Sequence, residues 1–325
     1  MSNNQKNIII TGASGFVGRC VISELLRDVS FYKIFALARE PTFIDSNVNE
    51  IIIKDIGDIS WLESFHEKID CIVHIAGLAH NKFGDGTDES LSYFREVNTV
   101  ATKKLVEKAL EIGVKRFVFI SSIGVLGTST KNLMFDDFTP VSPSSDYAIS
   151  KYEAELEIKQ VCERKKSSMD YVIIRSPLVY GSEAPGNFLK LLRLVRCGLP
   201  LPLLSVRNSR SFIDCYNLAS FIVCCVNHAK ASNQVFLIAD DENISTPDLV
   251  KCLSEGMKSK TILLPFPVSI LKIICTLARK KNIYEQLCCS LEIDSSRAKE
   301  LLEWSAPNKA LVALLQAANG YRDIY

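Results

Sequence analysis

Short apolar runs alternate with longer amphipathic segments along the first half of the chain. Residues 7–11, 33–38, 50–54, 71–75, 116–121 and 171–175 are rich in Ile, Val and Phe and only a few residues long, the pattern of strands buried on both faces. Between them, 16–28, 91–112 and 147–165 place apolar residues at helical spacing, the last with Asp146 in front of it as an N-cap. Strand, helix, strand in repetition predicts an α/β fold, a doubly wound parallel sheet with right-handed crossovers and helices on both faces. After residue 175 the rhythm breaks. Pro177, Pro185, Gly198, Pro200 and Pro202 interrupt it, and further short strands are expected near 211–214 and 235–239. This organisation reads as a first lobe of residues 1–176, with 211–239 returning to it, and a smaller, mostly C-terminal lobe of 177–210 and 240–325.

At 325 residues the chain exceeds the size at which a single core keeps growing, in keeping with two lobes. Apolar residues make up 47% and charged residues 23%, which excludes a disordered or fibrous chain. A net charge of +1 provides no overall field for a nucleic-acid backbone or an anionic membrane, so no nucleic-acid partner is expected and any anion must be held locally. Residues 1–6 are polar and lead straight into an apolar run, which leaves no room for a secretion signal, and a cytoplasmic location is expected. The eleven cysteines are odd in number and scattered through apolar runs, and read as buried reduced thiols. The four histidines show no metal-ligand spacing, so no metal is implied. The most apolar stretch, 261–277, is interrupted by Pro265, Pro267 and Lys272 and is too short for a spanning segment. It reads as a buried or partner-facing helix, with a membrane-surface role for 268–281 as the alternative.

Chemistry first becomes visible at Gly12-Ala13-Ser14-Gly15-Phe16-Val17-Gly18, between the first strand and the first helix. Gly12 permits the tight turn, Gly15 lets the backbone approach a pyrophosphate, and Gly18 lets helix and strand pack closely; the helix N-terminus then points free N–H groups at the phosphates. With Ser14, Phe16 and Val17 these residues are the candidate dinucleotide cradle of a Rossmann sheet. Four residues apart on one helix face, Tyr147 and Lys151 form a second candidate pair, in which an ammonium can lower a phenol toward working pH. Ser122 ends the fifth strand, on the side where ligands of such sheets bind.

Gly-x-x-Gly-x-x-Gly, Ser122 and Tyr147-x-x-x-Lys151, in that order, resemble the extended short-chain dehydrogenase/reductase superfamily, in particular its NAD-dependent epimerase/dehydratase branch acting on nucleotide sugars. Asp55-Ile56, His74-Ile75-Ala76-Gly77, Asn98 and Val179-Tyr180-Gly181 extend the match. The resemblance implies that Tyr147 donates or accepts a proton, Lys151 also holds the nicotinamide ribose, and Ser122 orients the substrate. It implies cofactor contacts from Asp55, Ile56, Ala76, Gly77, Asn98 and Pro177. In the second lobe Arg210, opening Arg-Ser-Phe-Ile-Asp, matches a position that grips a nucleotide pyrophosphate, and Asn187 in Gly-Asn-Phe a further substrate contact. His80 borders the expected sugar pocket, where a solvated loop histidine is the plainer reading. The chain departs from many relatives at Leu126, where Tyr is usual, and at Leu178, where Asn often stands.

Cofactor choice turns on Arg39 and Glu40 at the end of the second strand: the arginine, with Arg19, favours NADP, and the glutamate would serve NAD. Both cofactors remain open. After Ser122 the chain has Ile123-Gly124, where related 4,6-dehydratases carry Asp-Glu, which disfavours dehydration. The resemblance therefore implies hydride exchange at C4 of a UDP-sugar. It is written first as reduction of a 6-deoxy-4-keto-N-acetylhexosamine for surface polysaccharide. The alternatives are a UDP-glucose or UDP-N-acetylglucosamine 4-epimerase with tightly bound NAD, and a non-catalytic NAD(P)-binding module. Relatives usually form a homodimer built on two helices per subunit.

Overall fold

A computed structural model describes residues 5–42, 45–63, 65, 67–79, 83, 86–131, 133–164, 168–278 and 280–324. The strands are β1 (Lys6–Thr11), β2 (Tyr32–Ala38), β3 (Val48–Ile52), β4 (Cys71–His74), β5 (Arg116–Ser122), β6 (Asp170–Ser176), β7 (Leu178–Tyr180), β8 (Phe212–Asp214) and β9 (Gln234–Leu237). Seven of them form one sheet in the order β3-β2-β1-β4-β5-β6-β9, every pair parallel, and β7 and β8 form a separate parallel pair.

The consecutive isoleucines of β1 show why the run carries no alternation. Ile8 and Ile10 face one layer with Val73, Val118 and Val172, while Ile9 faces the other with Ile72, Phe117 and Phe119, and all three are fully buried. Helix α1 (Phe16–Leu25) covers the first face. On the second lie α4 (Ala101–Glu111) and α5 (Asp146–Cys162), reached after the short helices α2 (Ser60–Glu63) and α3 (Asp88–Phe94). Chain order reverses between β1 and β4, which opens a crevice at the carboxyl ends of these two strands.

Two local readings change. The long helical pattern at 91–112 is divided: α3 runs into a π-helical turn, Arg95–Val100, before α4. Ser145, not Asp146, caps α5 by accepting from the Ala148 N–H, while Asp146 is buried and accepts from the Gly86 N–H at 2.8 Å. Both residue types cap well, and Asp146 is engaged instead by the Gly86 N–H across the site.

The second lobe packs α6 (Gly186–Arg196), α8 (Thr246–Met257) and α12 (Ala310–Ile324) around Phe188, Leu192, Leu253 and Leu314. Helix α7 (Cys215–Asn227), before β9, lies on α1 in the first lobe. The helical pair α9 (Val268–Leu277) and α10 (Lys281–Cys288) follows α8. Helix α11 (Ser296–Leu301) and Trp304 return to the first lobe, where the indole meets Phe221 edge-on at 5.1 Å. The cysteine reading is also corrected: Cys20 and Cys215 form a disulfide between α1 and α7, while nine cysteines are free among the described residues. Their separation of 195 residues conceals this pairing from any spacing rule.

Candidate active site

The glycine turn occupies the β1 side of the crevice. Gly12 has φ +71°, and a Cβ there would meet the Ala76 nitrogen at 2.8 Å; at Gly18 it would lie 2.2 Å from the Gly12 carbonyl oxygen. No side chain caps α1, and its first turn carries no acidic residue. Its positive end is therefore open to an anion beside the exposed Ser14 and Gly15, with Phe16 and Val17 behind them. A dinucleotide pyrophosphate fits this cradle. Arg19 donates to the Ser14 carbonyl and to Glu183, tying the turn to the second lobe instead of standing free. Arg39, immediately after β2, and Asp55, which accepts from the Gly57 N–H at 2.6 Å, are both exposed. Ile56 packs against the core, and buried Pro177 follows β6.

Beneath the β4 side runs a buried chain of polar groups that spacing alone did not reveal. Thr102 donates to the Asn98 carbonyl, so its oxygen accepts from His74 Nε2–H at 2.9 Å; His74 Nδ1 then accepts from the Thr11 hydroxyl at 2.7 Å, whose oxygen takes the Ala76 N–H. Burial pushes His74 down to about 3, fixing it neutral in this role. Asn98, in the π-helical turn, accepts from the Leu78 N–H and donates to the Leu78 carbonyl and Ser150 Oγ. It clamps the Ala76-Gly77-Leu78 loop to α5.

At the floor, Ser122 Oγ accepts from the Gly124 N–H and acts on the phenol of Tyr147. Lys151 is buried one turn beyond, its Nζ 4.0 Å from the centre of the Phe119 ring and close to Gly77. The electrostatics differ from the sequence expectation. Burial pushes the Tyr147 phenol up to about 12, with the Ser122 hydroxyl pulling it down. Lys151 is itself shifted: desolvation brings it down to about 7, against the raising influence of Glu155, and its Nζ lies over the Phe119 ring. Glu155 is itself fully buried, accepting from Ser121 Oγ at 2.6 Å and paired with Arg175 at 2.6 Å. It carries no family signature in the sequence and is visible only from the packing.

The depressed Lys151 value has a measurable consequence for the cofactor-free protein. Between about pH 7 and 10.5 the unfolded chain holds a proton there that the folded chain lacks, so this group makes stability rise with pH across that window. The stability of wild type relative to Lys151→Met should accordingly increase from pH 7 to pH 10, by at most about 1.4 kcal/mol per pH unit, in urea unfolding. A flat difference would mean that the buried amine is not desolvated as described.

In the second lobe, Arg210 Nη1 donates to the carbonyls of Glu285 and Cys289 at the end of α10. Among the described residues no carboxylate pairs with this half-buried cation, and desolvation holds it below its usual value. Asn187 lies in the first turn of α6 and accepts from Lys190. His80 lies outside the described residues. Leu126 is buried beside Ile123, and Leu178 packs on the second-lobe core.

The NAD dependent epimerase/dehydratase family matches residues 8–239. A UDP-glucose 4-epimerase of Vibrio cholerae is 37% identical over 97% of this chain and 95% of its own. An N-acetyl-alpha-D-glucosaminyl-diphospho-ditrans,octacis-undecaprenol 4-epimerase of Escherichia coli O157:H7 is 25% identical over 83% of this chain and 78% of its own. The solved UDP-glucose 4-epimerase of Thermotoga maritima with UDP-glucose has the same fold, with a TM-score of 0.78 over 98% of this chain and 99% of that one at 19% identity. So has WbmG of Bordetella bronchiseptica in complex with NAD, with a TM-score of 0.74 over 99% and 95% at 17% identity.

Proposed function

Because the chain belongs to the NAD-dependent epimerase/dehydratase family, we propose that it inverts C4 of a UDP-linked hexose or N-acetylhexosamine through a transient 4-ketone. When bound, NAD supplies a hydride acceptor and donor at C4 and a positive charge that favours the phenolate. Tyr147 Oη takes the proton of the C4 hydroxyl and returns it after the sugar has presented its other face. Ser122 Oγ–H donates to the oxygen that gains charge, and Lys151 contributes its ammonium and holds the nicotinamide ribose. Gly12, Ser14, Gly15, Phe16, Val17 and Gly18 receive the pyrophosphate, with Arg39, Asp55, Ile56, Ala76, Gly77 and Pro177 along the rest of the cofactor. Asn98 acts on it through the loop it clamps. Arg210, a half-buried cation that pairs with no carboxylate among the described residues, suits the substrate diphosphate, and Asn187 lies in the same lobe.

The single observation that carries this reading is the 37% identity with the Vibrio cholerae epimerase over nearly the whole of both chains. The site chemistry agrees with it. Elimination needs a second proton carrier beside Ser122, where this chain has Ile123 and Gly124, whereas withdrawing and returning one hydride at one carbon needs only the phenol. A second reading, reduction of a 4-keto UDP-sugar, is favoured by Arg39 at the position that would accommodate a 2′-phosphate of NADPH.

The two readings separate in one assay. Purified protein supplied with UDP-galactose or UDP-N-acetylgalactosamine should convert it to the gluco isomer with no net formation of reduced nicotinamide. Absence of any interconversion, together with mole-for-mole NADPH oxidation on a 4-keto UDP-sugar, would replace the epimerase by the reductase.

A further inference from the structure

Beyond residue 239, where the family match ends, the second lobe carries a surface that the reaction does not use. Helix α9 turns Val268 and Leu271 inward onto the lobe's core. Its opposite side presents Ile270, Ile273, Ile274 and Leu277, an apolar stripe at helical spacing, with Ile273 58% and Leu277 81% exposed. Not one residue of α9 is buried. Ile262 and Leu264 in the preceding segment, whose backbone pairs with that of Leu201 and Leu204, are exposed as well.

The charge around this stripe identifies what would cover it. From Gly256 to Tyr284 the sequence contains no Asp or Glu and six basic residues, Lys258, Lys260, Lys272, Arg279, Lys280 and Lys281. The five lysines are exposed, and among the described residues only Lys281 of the five pairs with a carboxylate, Glu285 at 3.5 Å. In a chain whose net charge is +1, this is a marked local excess. A second copy docked through the same face about a two-fold axis would set these cations against themselves, whereas a layer of anionic headgroups over acyl chains matches both the stripe and its fringe. No helix among the described residues is long and apolar enough to cross a membrane, so the contact would lie in the interface plane.

We propose that α9 and its flanking lysines seat the protein on an anionic lipid surface, with Ile273 and Leu277 entering the acyl boundary. This inference is independent of the reaction proposed above. Flotation with phosphatidylcholine vesicles, with and without phosphatidylglycerol, tests it on the whole chain. The protein should float with the anionic vesicles and not with the neutral ones, and raised salt should weaken the association. Lys280→Glu/Lys281→Glu, at the end of the stripe, should reduce binding by about tenfold or more, since each surface lysine adds several-fold to the affinity for anionic headgroups. Ile273→Asp/Leu277→Asp should abolish it, leaving sugar turnover and circular dichroism unchanged because these side chains support neither core nor cleft. Absence of binding to anionic vesicles, equal binding to neutral ones, or a light-scattering dimer that the Ile273→Asp/Leu277→Asp variant dissociates would overturn the proposal.

Discussion

Tyr147→Phe is expected to lower kcat by about three orders of magnitude while leaving KM for the UDP-sugar nearly unchanged, because the phenol is the proton carrier of the proposed cycle and contributes little to ground-state binding. Ser122 keeps its place on the Gly124 N–H and Lys151 its place over Phe119, so the variant loses one oxygen and no scaffold. Ser122 cannot substitute, since an alkyl hydroxyl is a far weaker acid than a phenol. In wild type that phenol is held at about 12 by burial, so turnover should fall on the acid side, where the phenolate becomes too scarce to take the C4 proton. The Phe variant should retain bound nicotinamide, which fluorescence of the reduced form would report. Turnover within about tenfold of wild type would remove Tyr147 from the chemistry and with it the proposed mechanism.

The parts legible in the sequence are those whose physics is local. Three successive isoleucines in β1 announce a strand covered on both faces, and Gly12, Gly15 and Gly18 announce a turn with no room for a Cβ. The Tyr147–Lys151 spacing places both residues on one helix, and Ser122 stands at the end of β5, as the family resemblance implied. What escaped depends on tertiary context. Trp304 joins the first lobe by meeting Phe221, more than eighty positions away, and no periodicity encodes that contact. The π-helical turn that aims Asn98 at Leu78 looks like ordinary helix in a hydropathy pattern. The phenol and the amine are on one helix, as their spacing requires, yet their acidities are set by burial that spacing does not reveal. Arg210 shows both sides: the motif places it in the lobe expected, while its hold on the end of α10 becomes visible only in three dimensions.

Glu155 is the clearest case of a residue invisible in sequence and consequential in structure. It is fully buried, receives the Ser121 hydroxyl, and forms two hydrogen bonds with Arg175. Glu155→Ala strands a buried guanidinium and should cost about 3–5 kcal/mol of stability in urea unfolding, the loss that follows when one partner of a buried pair is removed. The same carboxylate raises Lys151 against the desolvation that lowers it. Its loss should therefore bring the amine below about 7 and move the alkaline limb of kcat/KM to lower pH, because the ammonium is the form the proposed cycle uses. A second variant separates packing from charge. Glu155→Met with Arg175→Met removes both ions together and should restore most of the stability, since a buried pair contributes little net over apolar residues of similar volume. Lys151 still lacks its carboxylate in that double variant, so the displaced alkaline limb should persist. Recovery of the wild-type pH profile together with the stability would mean that Glu155 serves the fold alone.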